Sequence, residues 1–378
     1  MPTTESLLCL GVSARWLAQS LHDTGHSLIA TDLFADCDSA EYAEFHRVEA
    51  IEDFPDLVAK LSPSIAVMGG GLETHIDIVE SVAQRTTLLN CSAQAIRRVR
   101  DPWELQSFAN QASLRFPKTY RLGERPHKSE SFVCKELNRS GGAHVRRDEL
   151  NELTDRSYFQ SWIEGVPMSA SFLACTSGCK ILGVFRQLIG ESAFGCKKPF
   201  QFAGAIGPLD VCPTIQKQMD EFGALISKHF GLVGLFGVDF ILDSQKLIWL
   251  IEVNPRPTST MELLERLGSS SLLSAHLQAF RAPANSTCDI AVKSSLIAAK
   301  AILFWDRNAP FKVGSSLHEK LMDAWRVGDI ADVPNIGTIV KSGQPIITIY
   351  GTGIDDTGAL RSLYERAKSW YQVFAKSL

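Results

Sequence analysis

With 378 residues, 45% of them hydrophobic, and a formal net charge of −4, the chain can bury two or three domain cores and has no basic tract for a nucleic acid. It contains no run of about eighteen apolar residues that would span a membrane. The opening Met-Pro-Thr-Thr-Glu-Ser lacks the basic start and cleavage site of a signal peptide, and nine scattered cysteines point to free thiols in a reducing cytosol. Cys175 and Cys179 flank a Thr-Ser-Gly turn, but a zinc site there needs two further ligands and the neighbouring sequence offers none.

Residues 6–12 read as a short apolar strand ending near Gly11. Residues 14–24 have helical spacing, with Trp16, Leu17 and Leu21 on one stripe, and residues 27–32 form a second strand closed by Asp32. This is a βαβ unit. An acid at the end of the second strand suits a dinucleotide ribose, yet Gly11-Val-Ser13 holds one glycine where the dinucleotide fingerprint wants three. A strand at 65–68, the turn Gly69-Gly70-Gly71, a helix near 76–84 and a strand at 88–90 continue the alternation. Pro102 then opens a helix that runs to about Ala112.

Lys135, on a strand at 132–135, leads into Asn138-Arg-Ser140-Gly141-Gly142-Ala-His144. A point charge beside backbone N–H groups that no side chain obstructs suits a phosphate, although a surface lysine beside a hairpin gives the same pattern. Segments 169–173 and 180–187 form a hairpin that sends Arg186 either to the core or to a site. Residues 194–208, rich in Gly and aromatic residues and carrying Lys197 and Lys198, read as a loop at the mouth of a site. A helix at 214–230 places Met219, Phe222, Leu225, Ile226 and Phe230 on one buried face and ends at Gly231.

Residues 235–256 carry the strongest signal: two apolar strands joined by the polar turn Asp243-Ser-Gln-Lys246. If the loop is even in length, Asp239 pairs with Leu250. One face then holds Val238, Phe240, Leu242, Leu247, Trp249, Ile251 and Val253, and the other Gly237, Asp239, Ile241, Ile248, Leu250, Glu252 and Asn254. Two carboxylates and an amide on one half-buried face, with no basic neighbour, are costly unless a partner offsets them. Oxygen ligands at that density are what Mg²⁺ takes, usually together with nucleotide phosphates. Arg256 adds a cation where phosphate charge would lie. Beyond it, Thr258-Ser-Thr260 caps a helix towards Leu267, a second helix covers 272–280, and 281–286 reads as a linker. Strands at 295–304, 338–340 and 345–350 and a terminal helix at 356–375 complete the chain.

In this order the segments resemble the ATP-grasp superfamily. There, an acid on one strand and Glu-x-Asn on the next hold two Mg²⁺ ions that bridge the ATP phosphates. The Asn-Pro-Arg form and the turns at 332–337 and 342–345 resemble biotin carboxylase and its small closing domain, and there is a weaker resemblance to the tyramine–glutamate ligases of methanofuran synthesis. The resemblance implies an α/β and α+β chain. Its parts would be a Rossmann-like domain at 1–100, an ATP-grasp domain at 101–285 and a β-rich closing domain at 286–378. It assigns Asp239, Glu252 and Asn254 to metal (two Mg²⁺, or Mn²⁺) and Arg256 to the acylphosphate at the reaction centre. Lys135, Ser140, Gly141 and Gly142 fall to the phosphates, and Gln160, Trp162 and Ile163 to the adenine hinge, with the Trp162 and Ile163 backbones reading the base. Ile241 and Leu250 would form the adenine floor. Residues 69–72 become a candidate substrate loop, or a plain tight turn.

Two positions depart from the family pattern. Pro102 stands where a phosphate-binding Lys is usual, and Pro167 where an acid usually binds ribose. The implied function is an ATP- and Mg-dependent ligase that joins a small-molecule carboxylate to an amine in the cytoplasm, with a homodimer allowed. The alternatives are phosphorylation of bicarbonate, as in a carboxylase, or a catalytically silent ATP sensor.

Overall fold

The computed structural model describes residues 5–124, 126–127, 129–151, 153–281, 290 and 294–376. The expected linker at 281–286 lies, beyond Arg281, outside the described residues.

The N-terminal part is a parallel sheet of β1 (Ser6–Leu10), β2 (Ser27–Asp32), β3 (Glu44–Arg47), β4 (Ile65–Met68) and β5 (Thr87–Leu88), in the order β3-β2-β1-β4-β5. Its helices are α1 (Arg15–Leu21), α2 (Phe54–Leu61) and α3 (Ile76–Ala83). Buried strands such as β1 and β4 are almost wholly apolar, as a sheet covered on both faces demands. Asp32 is not available to a ribose: its carboxylate, fully buried, accepts N–H groups from Ala14, Phe34 and Ala35 at 2.8–2.9 Å.

Two helices lead out of this domain. α4 (Ala93–Arg100) stops at Asp101, whose extended backbone is what a following proline requires. Asp101 then caps α5 (Pro102–Gln111) by accepting from Trp103 and Glu104 N–H groups. Pro102 is thus the first residue of a helix, and the corner leaves Arg100 facing the next sheet.

A four-stranded sheet follows, from β6 (Thr119–Tyr120), β7 (Phe132–Glu136), β8 (Arg146–Arg147) and β9 (Ser157–Ser161), in the order β6-β9-β7-β8. The chain then enters a third sheet through β10 (Val166–Cys175), β11 (Gly178–Ile189), β12 (Phe202–Gly207), helix α6 (Pro213–Phe230), β13 (Gly234–Leu242) and β14 (Ile248–Asn254). Helix α6 buries Ile215, Met219, Phe222, Ile226 and Phe230 as the spacing requires, but Leu225 points to solvent. After the short α7 (Glu262–Arg266) and α8 (Leu272–Arg281), β15 (Ile297–Phe304) continues this third sheet. β16 (Phe311–Lys312), α9 (Ser315–Arg326), β17 (Ile330–Ala331), β18 (Ile339–Val340), β19 (Pro345–Gly353) and α10 (Asp356–Ala375) complete the fold. The strand order β14-β13-β10-β11-β12-β15-β19-β17 makes one eight-stranded sheet out of the central and C-terminal parts, while β16 pairs with β18.

One core joins the first two parts. Leu8, Met68, Ile96 and Val99 belong to the same buried cluster as Phe172, Phe236, Val238 and Leu250, so the N-terminal sheet is fixed against the β13–β14 hairpin. Among the described residues no helix is long and apolar enough to cross a membrane, and Cys212 is an exposed free thiol.

Candidate active site

Between the four-stranded and eight-stranded sheets lies a cleft of about 450 Å³. Lys135, Ser140, Gly141, Gly142, Gln160, Trp162, Ile163, Asp239, Ile241, Glu252, Asn254 and Arg256 all line it. Every residue singled out in the sequence for ATP, metal or the reaction centre is therefore at one site, with the exception of Leu250.

The reason for that exception is a β-bulge. The register places Asp239 opposite Glu252 rather than Leu250, and the ladder slips by one residue between Asp239 and Phe240, where it resumes as Phe240 opposite Leu250. Ile251 is the extra residue. The strict alternation expected from an even loop therefore breaks down: Ile248 and Leu250 go to the core, and Ile251 joins Ile241 on the cleft wall. The bulge also brings the two carboxylates directly across from each other. The turn is held by Asp243, which accepts from Gln245 and Leu247 N–H groups and from the Trp249 indole.

At the acidic end, Asp239 accepts from Asn254 Nδ2 at 3.0 Å and from Gln187 Nε2 at 2.9 Å. Burial, and then the neighbouring Glu252 charge, push its carboxyl up to about 7, against the relief from those hydrogen bonds. Glu252 is met at 2.7 Å by Arg100, whose other Nη donates to the Arg139 carbonyl. The site thus sets a buried Asp239 carboxyl, favoured in its protonated form by burial and by the Glu252 charge, beside a second carboxylate and an amide, a donor set that fits a divalent cation.

The cations are placed around this end. Lys135 Nζ donates to Gln160 Oε1 at 2.7 Å, and Gln160 is itself anchored through its amide to Thr119 Oγ1 at 3.1 Å. Gln160 therefore orients the lysine. Burial lowers the Lys135 pKa, while Glu252 and Asp239 work in the opposite direction. Arg256 donates to Asn254 Oδ1 at 3.3 Å and lies 2.7 Å from Glu73.

The glycine loop lies across the cleft. Phe202 N–H donates to the Gly141 carbonyl at 3.0 Å, and Gly142, at φ +74°, packs so closely that a Cβ would sit 1.9 Å from the Phe200 carbonyl oxygen. Only glycine fits this contact. At the opposite end, the Trp162 N–H donates to the Ser131 carbonyl at 2.8 Å and is unavailable to a base. Of the Trp162 and Ile163 backbone groups expected to read the base, the Trp162 carbonyl and the Ile163 N–H have no backbone hydrogen-bond partner among the described residues. Arg147 covers the Trp162 ring at 4.2 Å.

Three residues of the 180–187 and 194–208 stretches lie away from the cleft. Arg186 points away from the cleft-facing Gln187, towards Asp356 at 3.9 Å. Lys197 reaches Ser342 of the C-terminal part. Phe194 is buried and stacks on Tyr364. Of the 194–208 stretch, Pro199, Phe200 and Phe202 line the cleft. Sequence reasoning missed Arg100, Gln187, Glu73 and Ser169. Ser169 stands opposite Asp239 on β10, two residues beyond Pro167, and its buried hydroxyl has no hydrogen-bond partner among the described residues. Only alternation along the strand could have picked it out.

Residues 99–260 match a family model described as an ATP-grasp domain. The central part of the chain is therefore an ATP-grasp domain. The fold of the chain is similar over nearly its whole length to several solved structures. The N5-carboxyaminoimidazole synthase from Aspergillus clavatus, in complex with ADP and 5-aminoimidazole ribonucleotide, is 16% identical with a TM-score of 0.70, covering 98% of this chain and 100% of that one. Biotin carboxylase from Campylobacter jejuni is 12% identical at a TM-score of 0.70, covering 95% and 90%. The N5-carboxyaminoimidazole ribonucleotide synthetase from Thermotoga maritima is 14% identical at 0.68, covering 97% and 98%. No curated protein sequence matches the chain significantly.

Proposed function

We propose that the protein is an ATP-dependent ligase that activates a small-molecule carboxylate as an acylphosphate for attack by an amine. The observation that carries this reading is the convergence of Asp239, Glu252 and Asn254 with Lys135, Arg100 and Arg256 at one end of a cleft whose other end is an apolar hinge. Phosphoryl transfer needs positioning and charge neutralisation more than a nucleophilic side chain, and this end supplies both.

Asp239, Glu252 and Asn254 would hold Mg²⁺, or Mn²⁺, which neutralises phosphate charge when bound. Lys135, kept in line by Gln160, reaches the phosphates. Arg100 supplies, from the preceding helix end, the cation that Pro102 does not. Ser140, Gly141 and Gly142 cover the phosphates and exclude water. The Trp162 carbonyl and Ile163 N–H read the adenine edge between Ile241 and Ile251, and Ser169 offers the ribose or phosphate a hydroxyl near Pro167. Arg256 stabilises the acylphosphate and the leaving phosphate.

A second reading is phosphorylation of bicarbonate, favoured by the likeness to biotin carboxylase and to the carboxyaminoimidazole synthases. The test is ADP release with Mg²⁺ across amino acids and amines, with bicarbonate as a separate arm and Glu252→Ala as control. Acceptor-dependent release lost in the variant supports the ligase. Release driven by bicarbonate alone supports the carboxylase. Binding of MgATP without turnover under any condition supports a silent sensor and defeats both.

A further inference from the structure

In an open parallel sheet, ligands bind at the carboxyl ends of the strands where strand order reverses. Here that crevice lies between β1 and β4, flanked by the Gly69-Gly70-Gly71 loop, with Val12 N–H donating to the Gly70 carbonyl across it. The crevice is filled by a protein cation. Arg256 crosses from the β14 end so that a Cβ on Gly70 would lie 3.2 Å from its guanidinium carbon. One Nη reaches Glu73 at 2.7 Å.

Glu73 sits on the short turn that follows the glycines and is 1% exposed. Burial alone would raise its carboxyl pKa, but Arg256 and then Arg100 outweigh that and hold it below the usual carboxylate range. A buried carboxylate without a counter-charge is strongly unfavourable, so the pair must stay together. Arg256 is also tied to Asn254 Oδ1 and to the Pro257 carbonyl, at 3.3 and 3.1 Å. Its direction is therefore set from two sides: Asn254 within its own hairpin, and Glu73 from the other domain.

We infer that Glu73 is a positioning residue for Arg256, so that the N-terminal domain completes the reaction centre of the ATP-grasp domain through one buried ion pair. The role of Arg256 in turnover rests on the proposed ligase activity, whereas the ion pair does not. Glu73→Gln keeps the shape and removes the charge. MgATP affinity should stay within about threefold, while kcat for ADP release falls by roughly tenfold or more with little change in either KM. Glu73→Asp should recover part of the loss.

The decisive comparison is non-additivity. In an Arg256→Met background, Glu73→Gln should change kcat by less than about twofold. The double variant removes both buried charges together and serves as the control for folding, since its melting should remain cooperative. A second readout needs no turnover: phenylglyoxal modification of Arg256, followed by peptide mass spectrometry, should accelerate at least about fivefold in Glu73→Gln, as expected for a guanidinium that has lost a buried ion-pair partner.

Effects of the two substitutions that multiply, or a rise confined to the KM of the acceptor, would place Glu73 on substrate and overturn the inference. So would an unchanged modification rate. If wild type releases no ADP with any substrate, the ligase reading fails, and the modification rate still decides whether Glu73 holds Arg256.

Discussion

Replacing Asp239 by Asn should flatten the pH dependence of stability in the metal-free protein. The Asp239 carboxyl is raised from 3.8 to about 7 by burial and by Glu252. A group whose folded pKa lies above its unfolded value binds its proton more tightly in the native state. Its contribution to stability is full below about pH 4 and is lost as pH rises through about 7. A shift of about three units corresponds to about 4 kcal/mol as an upper bound, at about 1.4 kcal/mol per unit. Asn is neutral throughout and nearly isosteric. One of its amide hydrogens would face Gln187 Nε2, and a flip of the Gln187 amide restores that bond.

Urea denaturation of both proteins from pH 4.5 to 8 gives the difference directly. Wild type should lose stability relative to the variant across that range by several kcal/mol. Added Mg²⁺ should remove the slope in wild type, because the cation displaces the proton, and its affinity should rise up to about tenfold per pH unit below 7. Parallel curves for the two proteins, or a wild type that gains on the variant with rising pH, would refute the electrostatic account of this end of the cleft.

Gly142→Ala should release the loop from Phe200, since its Cβ would sit 1.9 Å from a carbonyl oxygen at a φ of +74°. The loss of contact and about 1–2 kcal/mol of left-handed strain should weaken ATP binding by roughly tenfold, readable by calorimetry, with the melting temperature little moved. Arg100→Ala breaks the 2.7 Å pair with Glu252 and should reduce MgATP affinity by about tenfold or more; unchanged affinity would remove Arg100 from the phosphate end. His276 bridges the domains, accepting from Leu235 N–H and facing the Leu89 carbonyl at 2.8 Å, and burial lowers it to about 4. His276→Ala should cost about 2–4 kcal/mol in denaturant titrations near pH 7. In wild type, the His276 contribution should fade as pH drops below about 6.5 towards 4, the opposite direction to that of Asp239.

The strands of the first sheet and of the β13–β14 hairpin were legible because their apolar runs are long and bounded by glycines and polar turns. The span of α10 was legible as the terminal helix expected at 356–375. The site was legible as a set of residue types, since acids and an amide on one strand face are costly unless something binds them. Three things were hidden. The bulge at Ile251 leaves no trace in composition, so alternation misplaced Leu250. Helix α4 reads as Ala-Gln-Ala-Ile-Arg-Arg-Val-Arg, too short and too basic to stand out, and Arg100 went unnoticed with it. Glu73 and Gln187 matter only through partners far away in sequence, Arg256 and Asp239, which pairing within one segment cannot reveal. Arg186 was sent to either face by its hairpin, and the register decided for its neighbour.

The most direct test of the central claim follows one oxygen atom. With the carboxylate that supports ADP release, labelled with ¹⁸O and incubated with MgATP and its amine, an acylphosphate route transfers one labelled oxygen to each phosphate released. The account predicts that transfer in wild type and its loss, along with turnover, in Glu252→Ala. Phosphate formed at full rate without label would contradict carboxylate activation.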